Sequence, residues 1–247
     1  LVYYVIYFGY KKQKMIQNIP LERVLFLDIE TVPQAGSWSE LSETDRYLWD
    51  KKTKFQRKED VSAEEFYERA GIMAEFGKII CITIGMLEKN ETLKIKSFYG
   101  HDEKKMLQEF GEIFNSPRLY NVILCAHNGK EFDFPWIARR YLINGMQPPA
   151  PFQMFGKKPW EIPHIDTMEL WKFGDYKSFV SLELLAHVFG IPTPKDDIDG
   201  SMVSSIYYIE KDLQRIVDYC EKDVLTLANI FRRMRQEDLL KRNINLD

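Results

Sequence analysis

Apolar positions along the chain follow two periods. Arg23–Ile29 is an apolar run of strand length, too short for a core helix. Lys78–Leu87 is β-branched and apolar, the pattern of a central strand. Glu91–Tyr99 alternates polar and apolar after a Lys89-Asn90 turn, so the two segments predict a hairpin. Val122–Ala126 predicts a short buried strand. Helical spacing appears at Asp102–Phe114, Phe132–Ile143, Ser181–Phe189 and, at greatest length, Leu213–Arg235. Two further helical patterns, Ser42–Phe55 and Ser62–Phe76, lie inside a long excursion from Pro33 to Gly77, and Ser62 followed by Glu65 is a capping-box signature. Strands interleaved with helices predict an α/β fold, and the hairpin makes its sheet mixed.

Residues 148–163 are Pro-rich and read as a loop, and no internal repeat is visible. The first ten residues, LVYYVIYFGY, are apolar and aromatic, with lysines after them rather than before, the reverse of a signal peptide. Residues 1–14 read as an extension ahead of a start at Met15, or as an extra edge strand. The expected organisation is one domain over 15–247, carrying 33–77 as a helical insertion after the first strand. The insertion's aromatic residues, Trp38, Tyr47, Trp49, Phe55, Phe66, Tyr67 and Phe76, are expected to pack its helices down rather than to stack on bases.

Composition narrows the class only a little. A chain of 247 residues with 45% apolar residues can bury a substantial core. The net charge of −3 argues against a broad basic surface for duplex DNA. No apolar run approaches the roughly 20 residues that span a bilayer, so no membrane association is expected. Cys81, Cys125 and Cys220 match no zinc or redox spacing and lie in apolar patterns, which predicts buried free thiols and a reducing, cytoplasmic setting.

The candidate chemistry begins at the end of the first strand. Residues two apart on a strand share a face, so Asp28 and Glu30 project together from a segment otherwise built for burial. Two such carboxylates repel each other, and hard oxygen donors suit Mg²⁺ or Mn²⁺. The plainer alternative is a strand-end turn. Asp133 follows an Asn128-Gly129 turn and opens a helix, where it reads as a ligand at the carboxyl end of a strand or as a dipole partner. Tyr219 and Asp223 are four apart on the long last helix and share a face, either as site residues or as core filler beside a solvated carboxylate. Asp166 reads as a further carboxylate near the site or as a helix cap.

Taken together, Asp28-x-Glu30, Asn128-x-x-x-Phe132-Asp133 and Tyr219-x-x-x-Asp223 resemble the DEDDy group of 3′–5′ exonucleases. The closest likeness is to the proofreading domain of family-B DNA polymerases, in its stand-alone bacterial form. His164–Thr167, Ser181–Leu185 and the stretch 190–201 add to the likeness. The resemblance implies a ribonuclease-H-like mixed sheet flanked by helices. It implies two divalent ions, Mg²⁺ or Mn²⁺, held by Asp28, Glu30, Asp133 and Asp223, with Tyr219 orienting the attacking water or the scissile phosphate. It also implies hydrolysis from the 3′ ends of single-stranded DNA in preference to RNA, in DNA maintenance or repair. Thr31, Asn128, Phe132 and Lys195 are the implied substrate contacts, although Asn128 and Phe132 serve the turn equally well. The insertion departs from the compact proofreading pattern. A ribonuclease-D-like RNA exonuclease and a catalytically silent nucleic-acid-binding module of the same fold remain as alternatives.

Overall fold

The computed structural model describes residues 16–88, 91–192 and 198–240. The expected extension at 1–14, the turn at Lys89-Asn90 and the implied contact Lys195 lie outside these residues.

Five strands form one mixed sheet: β1 (Val24–Pro33), β2 (Gly77–Leu87), β3 (Leu93–Tyr99), β4 (Ile123–Ala126) and β5 (Ile165–Asp166), in the order β3-β2-β1-β4-β5. β1 pairs antiparallel with β2 and parallel with β4; β2–β3 is the antiparallel hairpin, and β5 is parallel to β4. The helices are α1 (Glu43–Thr53), α2 (Glu103–Glu112), α3 (Asp133–Ile143), α4 (Thr167–Lys172), α5 (Leu182–Val188), the single turn α6 (Val203–Ser205) and α7 (Leu213–Met234). This mixed five-stranded sheet flanked by helices is the α/β architecture expected from the sequence.

β1 divides the core. Its odd positions, Leu25, Leu27 and Ile29, pack with Leu107 and Phe110 of α2 and Phe134 and Ile137 of α3. Its even positions, Val24 and Phe26, pack with Val224, Leu227, Ala228 and Phe231 of α7. The same alternation turns Asp28 and Glu30 toward α7. The helix lies close to the sheet because Gly85 of β2 has no side chain: a Cβ there would sit 2.8 Å from Val224 Cγ1. On the other face a buried ion pair ties α2 to α3. Glu103 accepts from Arg140 at 2.6 Å, from the backbone N–H of Ile79 at 2.7 Å and from Asn144 at 2.9 Å, so its oxygens are fully engaged.

The excursion between β1 and β2 leaves and re-enters the sheet at adjacent positions, since Pro33 pairs with Gly77. It carries its own small core of Leu41, Trp49, Tyr67, Ala70 and Phe76, with Trp38 and Phe66 packed against it. Packing is thus the role of most of its aromatic residues; Tyr47 and Phe55 are the exceptions, 63% and 94% exposed. Ser62 and Glu65 exchange the expected capping bonds. The segment that follows differs from the expected α-helix: Glu65–Ile72 is a 3₁₀ helix. The tighter coil lets Gly71 approach the Val32–Pro33 backbone, where a Cβ would be 3.3 Å from Pro33 N.

Candidate active site

Three segments meet beside the second half of β1, which runs on to Pro33 rather than ending at the two acids. The strand supplies Asp28 and Glu30, with Glu30 8% exposed. A β-bulge follows directly between Glu30 and Thr31, so that Glu30 faces Cys81 and Thr31 faces Ile79. Bulges of this kind re-aim side chains beside sites. α7 supplies Tyr219, Cys220 and Asp223 on the face turned to β1. α3 supplies Asp133, its first residue, 3% exposed.

The carboxylates are mutually unfavourable as anions. Burial raises the Asp28 carboxyl well above its ordinary value, and the charges of Asp133 and Asp223 raise it further. Burial likewise lifts Glu30, with Asp28 and Asp223 adding to the effect. Asp133 is pushed up to about 7, chiefly by burial; Asp166 adds to the rise, while the backbone N–H of Ile29, donating to Asp133, opposes it. Tyr219 donates to Asp223, and burial with the surrounding carboxylates holds its hydroxyl far above the ordinary phenol range. It stays neutral at any working pH.

One participant was not singled out from the sequence. The Cys220 thiol donates to Asp28 Oδ2 at 3.3 Å and is also within hydrogen-bonding reach of the Cys81 thiol. Ligand atoms of Asp28, Glu30 and Cys220 lie within 4.8 Å of one another. Cys220 stands three before Asp223 on α7, and that spacing was its available signal. Burial raises its thiol well above the usual range, so it acts here as a donor to a carboxylate. Oxygen donors therefore dominate the group, and oxygen donors that repel one another fit a hard divalent cation. All three cysteines are free and buried, as expected.

The turn before α3 is built on two requirements. Asn128 takes a left-handed backbone at φ 62, and Gly129 is needed because a Cβ would lie 2.4 Å from that of Ala126. Asp166 anchors this turn, and it also stands near enough to Asp133 for its charge to raise that carboxyl. One oxygen accepts the N–H groups of Asn128 and Met168, each at 3.0 Å, and the other that of Lys130 at 3.0 Å. It is the N-cap of α4, the second of the two roles read for it. Phe132 is half-buried, its ring 6.2 Å from that of Trp136. The Thr31 hydroxyl donates to the Gly71 carbonyl at 2.6 Å, which ties the strand end to the insertion.

A family described as predicted 3′–5′ exonucleases related to the exonuclease domain of PolB matches residues 72–242. The chain belongs to this family. The matched stretch holds Asp133, Tyr219 and Asp223; β1, with Asp28 and Glu30, precedes it. No curated protein matches the chain. Among solved structures, the family B DNA polymerase of the hyperthermophilic archaeon Pyrobaculum calidifontis is similar at 16% identity and a TM-score of 0.47, over 85% of this chain and 24% of the polymerase. E. coli exonuclease I in complex with a dT13 oligonucleotide is similar at 12% identity and a TM-score of 0.42, over 79% of this chain and 42% of that enzyme. The chain thus spans about a quarter of the one and under half of the other. No helix among the described residues is long and apolar enough to cross a membrane.

Proposed function

We propose that the chain hydrolyses single-stranded DNA from its 3′ end, using two divalent ions, Mg²⁺ or Mn²⁺, held by Asp28, Glu30, Asp133 and Asp223. The reading takes residues 15–247 as one catalytic domain. The observation that carries it is the convergence of carboxylates from β1, α3 and α7, close enough that Asp133 and Asp223 raise the proton affinity of both Asp28 and Glu30. A fold keeps such a group when a cation offsets the repulsion. Bound there, divalent ions would supply a water of lowered pKa and charge stabilisation for the phosphoryl oxygens.

The remaining residues position and exclude. Cys220 holds one oxygen of Asp28, and the Ile29 N–H holds Asp133. Thr31, Asn128 and Phe132 would support the 3′-terminal nucleotide, with Lys195 as a further phosphate contact. Tyr219 orients rather than abstracts, because a neutral phenol bonded to Asp223 has no tendency to take up a proton. Tyr219→Phe is therefore expected to lower kcat by about 100- to 1,000-fold, as for loss of one positioned donor, while the pH–rate profile keeps its shape. Loss of the limb in which the rate rises with pH would make the phenol the base and overturn the assignment.

The direct test is a 5′-labelled single-stranded DNA beside the matching RNA, each with Mg²⁺, Mn²⁺ or EDTA. A metal-dependent ladder shortening from the 3′ end, faster on DNA, is the expected result. A faster ladder on RNA would replace the substrate with that of a ribonuclease-D-like enzyme. No ladder with either strand or metal would leave the silent nucleic-acid-binding module.

A further inference from the structure

We infer that the loop 173–179, between α4 and α5, is a stacking platform for the single strand leading into the candidate active site; this rests on the exonuclease reading above. The loop presents three rings, Phe173, Tyr176 and Phe179, at 91%, 88% and 68% exposure. They stand three residues apart in the sequence KFGDYKSF, with no aliphatic side chain among them. Single exposed apolar residues are ordinary, but three large rings on one short loop are not.

The loop is held in place at a cost. Phe173, the C-cap of α4, has φ 43, a left-handed conformation that a bulky residue rarely adopts, and Gly174 follows at φ 94. Strain of this kind persists where the surrounding structure fixes it. Here both ends of the segment are fixed to the turn that carries Asn128. At the near end, Asp166 caps α4 and accepts the Asn128 and Lys130 N–H groups. At the far end, His127 Nε2 donates to the carbonyl of Val180 at 2.8 Å, and its Nδ1 accepts from the Thr167 hydroxyl at 2.9 Å. Val180 itself is buried against Met168, Leu185 and Ile230. His127 thus binds the loop's return to the first residue of α4, one residue before Asn128 and six before Asp133.

Charge names the occupant. Lys172 Nζ lies 5.0 Å from the centre of the Phe179 ring, and Lys177 lies within the loop. Asp175, the loop's one carboxylate, is turned back to accept the Lys177 N–H at 3.1 Å. Among the described residues neither lysine forms an ion pair. Flat rings interleaved with available cations fit bases and phosphates of a single strand, which stack without regard to sequence. An apolar protein surface would instead call for aliphatic neighbours, and the loop has none.

The test is Phe173→Asn with Tyr176→Ser and Phe179→Ser. All three side chains are exposed, and asparagine tolerates the left-handed backbone, so folding is preserved. Steady-state kinetics are compared on a long 5′-labelled oligothymidylate and on the p-nitrophenyl ester of thymidine 5′-phosphate, which is too small to reach the loop. The triple variant is expected to raise KM for the oligonucleotide by about tenfold or more, from the loss of stacked bases, and to leave the small ester unchanged. An unchanged KM, with the wild type degrading the oligonucleotide normally, would overturn the platform and assign the rings to a protein contact. An equal loss on both substrates would also overturn it, by making the loop a support of the site. A wild type that cleaves neither substrate would instead sink the exonuclease reading beneath it.

Discussion

Replacing Asp28 or Asp223 with asparagine is expected to remove hydrolysis while making the metal-free protein more stable. The two effects have one cause. Each carboxylate raises the proton affinity of its neighbours: Asp223 acts on both Asp28 and Glu30, and Asp28 acts on Glu30. Asparagine keeps the volume and removes the charge, so the remaining acids lose a repulsive neighbour. It also removes the anionic donor that a divalent ion needs. Loss of a metal's charge stabilisation is worth several kcal/mol, which corresponds to a fall of about a thousandfold or more in kcat. Relief of the repulsion by even ~1 kcal/mol would raise the thermal midpoint of a chain this long by roughly 2–4 °C. The measurement is cleavage of a 5′-labelled oligonucleotide beside thermal unfolding in EDTA, for each variant. Hydrolysis that survives both substitutions would remove these residues from the site. Activity lost together with stability would mean that the carboxylates hold the fold rather than a cation.

Much of this site was open to reading because it rests on short-range geometry. Asp28 and Glu30 share a face by strand alternation, and Tyr219 and Asp223 by helical spacing; both periods are visible in the sequence and both hold in β1 and α7. The long helices and the β2–β3 hairpin were legible for the same reason. Asp133 was placed correctly at a helix start, but its nearness to β1 depends on the Ile29 N–H, about a hundred residues earlier. No local period encodes such a pairing. Cys220 was hidden by its ordinary apolar surroundings, although it shares the Asp223 face. β5 is two residues long, too short for any alternation to register, and α4 follows it at once. Asp166 could be read as a further carboxylate near the site or as a helix cap; the four backbone N–H groups of Asn128, Lys130, Met168 and Glu169 around it make it a cap, while its charge still reaches Asp133. In the insertion the capping signal was right and the helix type was not: the 3₁₀ coil brings Gly71 against the β1 backbone, a contact between segments that no local period encodes. What escaped the sequence was contact between distant segments.

Without metal, the protein is expected to lose stability as pH rises from about 4 toward 7 and beyond, and Mg²⁺ or Mn²⁺ is expected to restore it. The sign follows from which state holds more protons. The unfolded carboxyls titrate near their ordinary values, whereas Asp28 and Glu30 titrate well above theirs in the folded chain and Asp133 at about 7. Below the ordinary values both states are protonated and nothing is lost. Between the ordinary and the raised values only the folded state keeps the protons, and each pH unit then costs about 1.4 kcal/mol per proton held. Two histidines work in the opposite direction. His127 and His164 are lowered, chiefly by burial, so they stay neutral when folded and favour the unfolded state as pH falls through the ordinary imidazole range. A single pH curve therefore mixes both contributions. Subtracting the curve of an Asp28→Asn Glu30→Gln double variant cancels the histidines and leaves the carboxylates. That difference, from denaturant unfolding in EDTA, should grow steadily in favour of the variant between pH 5 and pH 8. Saturating Mn²⁺ should stabilise the wild type alone, by about 2.7 kcal/mol per site at a hundred times the dissociation constant. A difference that stays flat with pH would mean that water, not a cation, already satisfies these carboxylates. Equal stabilisation of both proteins by Mn²⁺ would place its binding elsewhere on the chain.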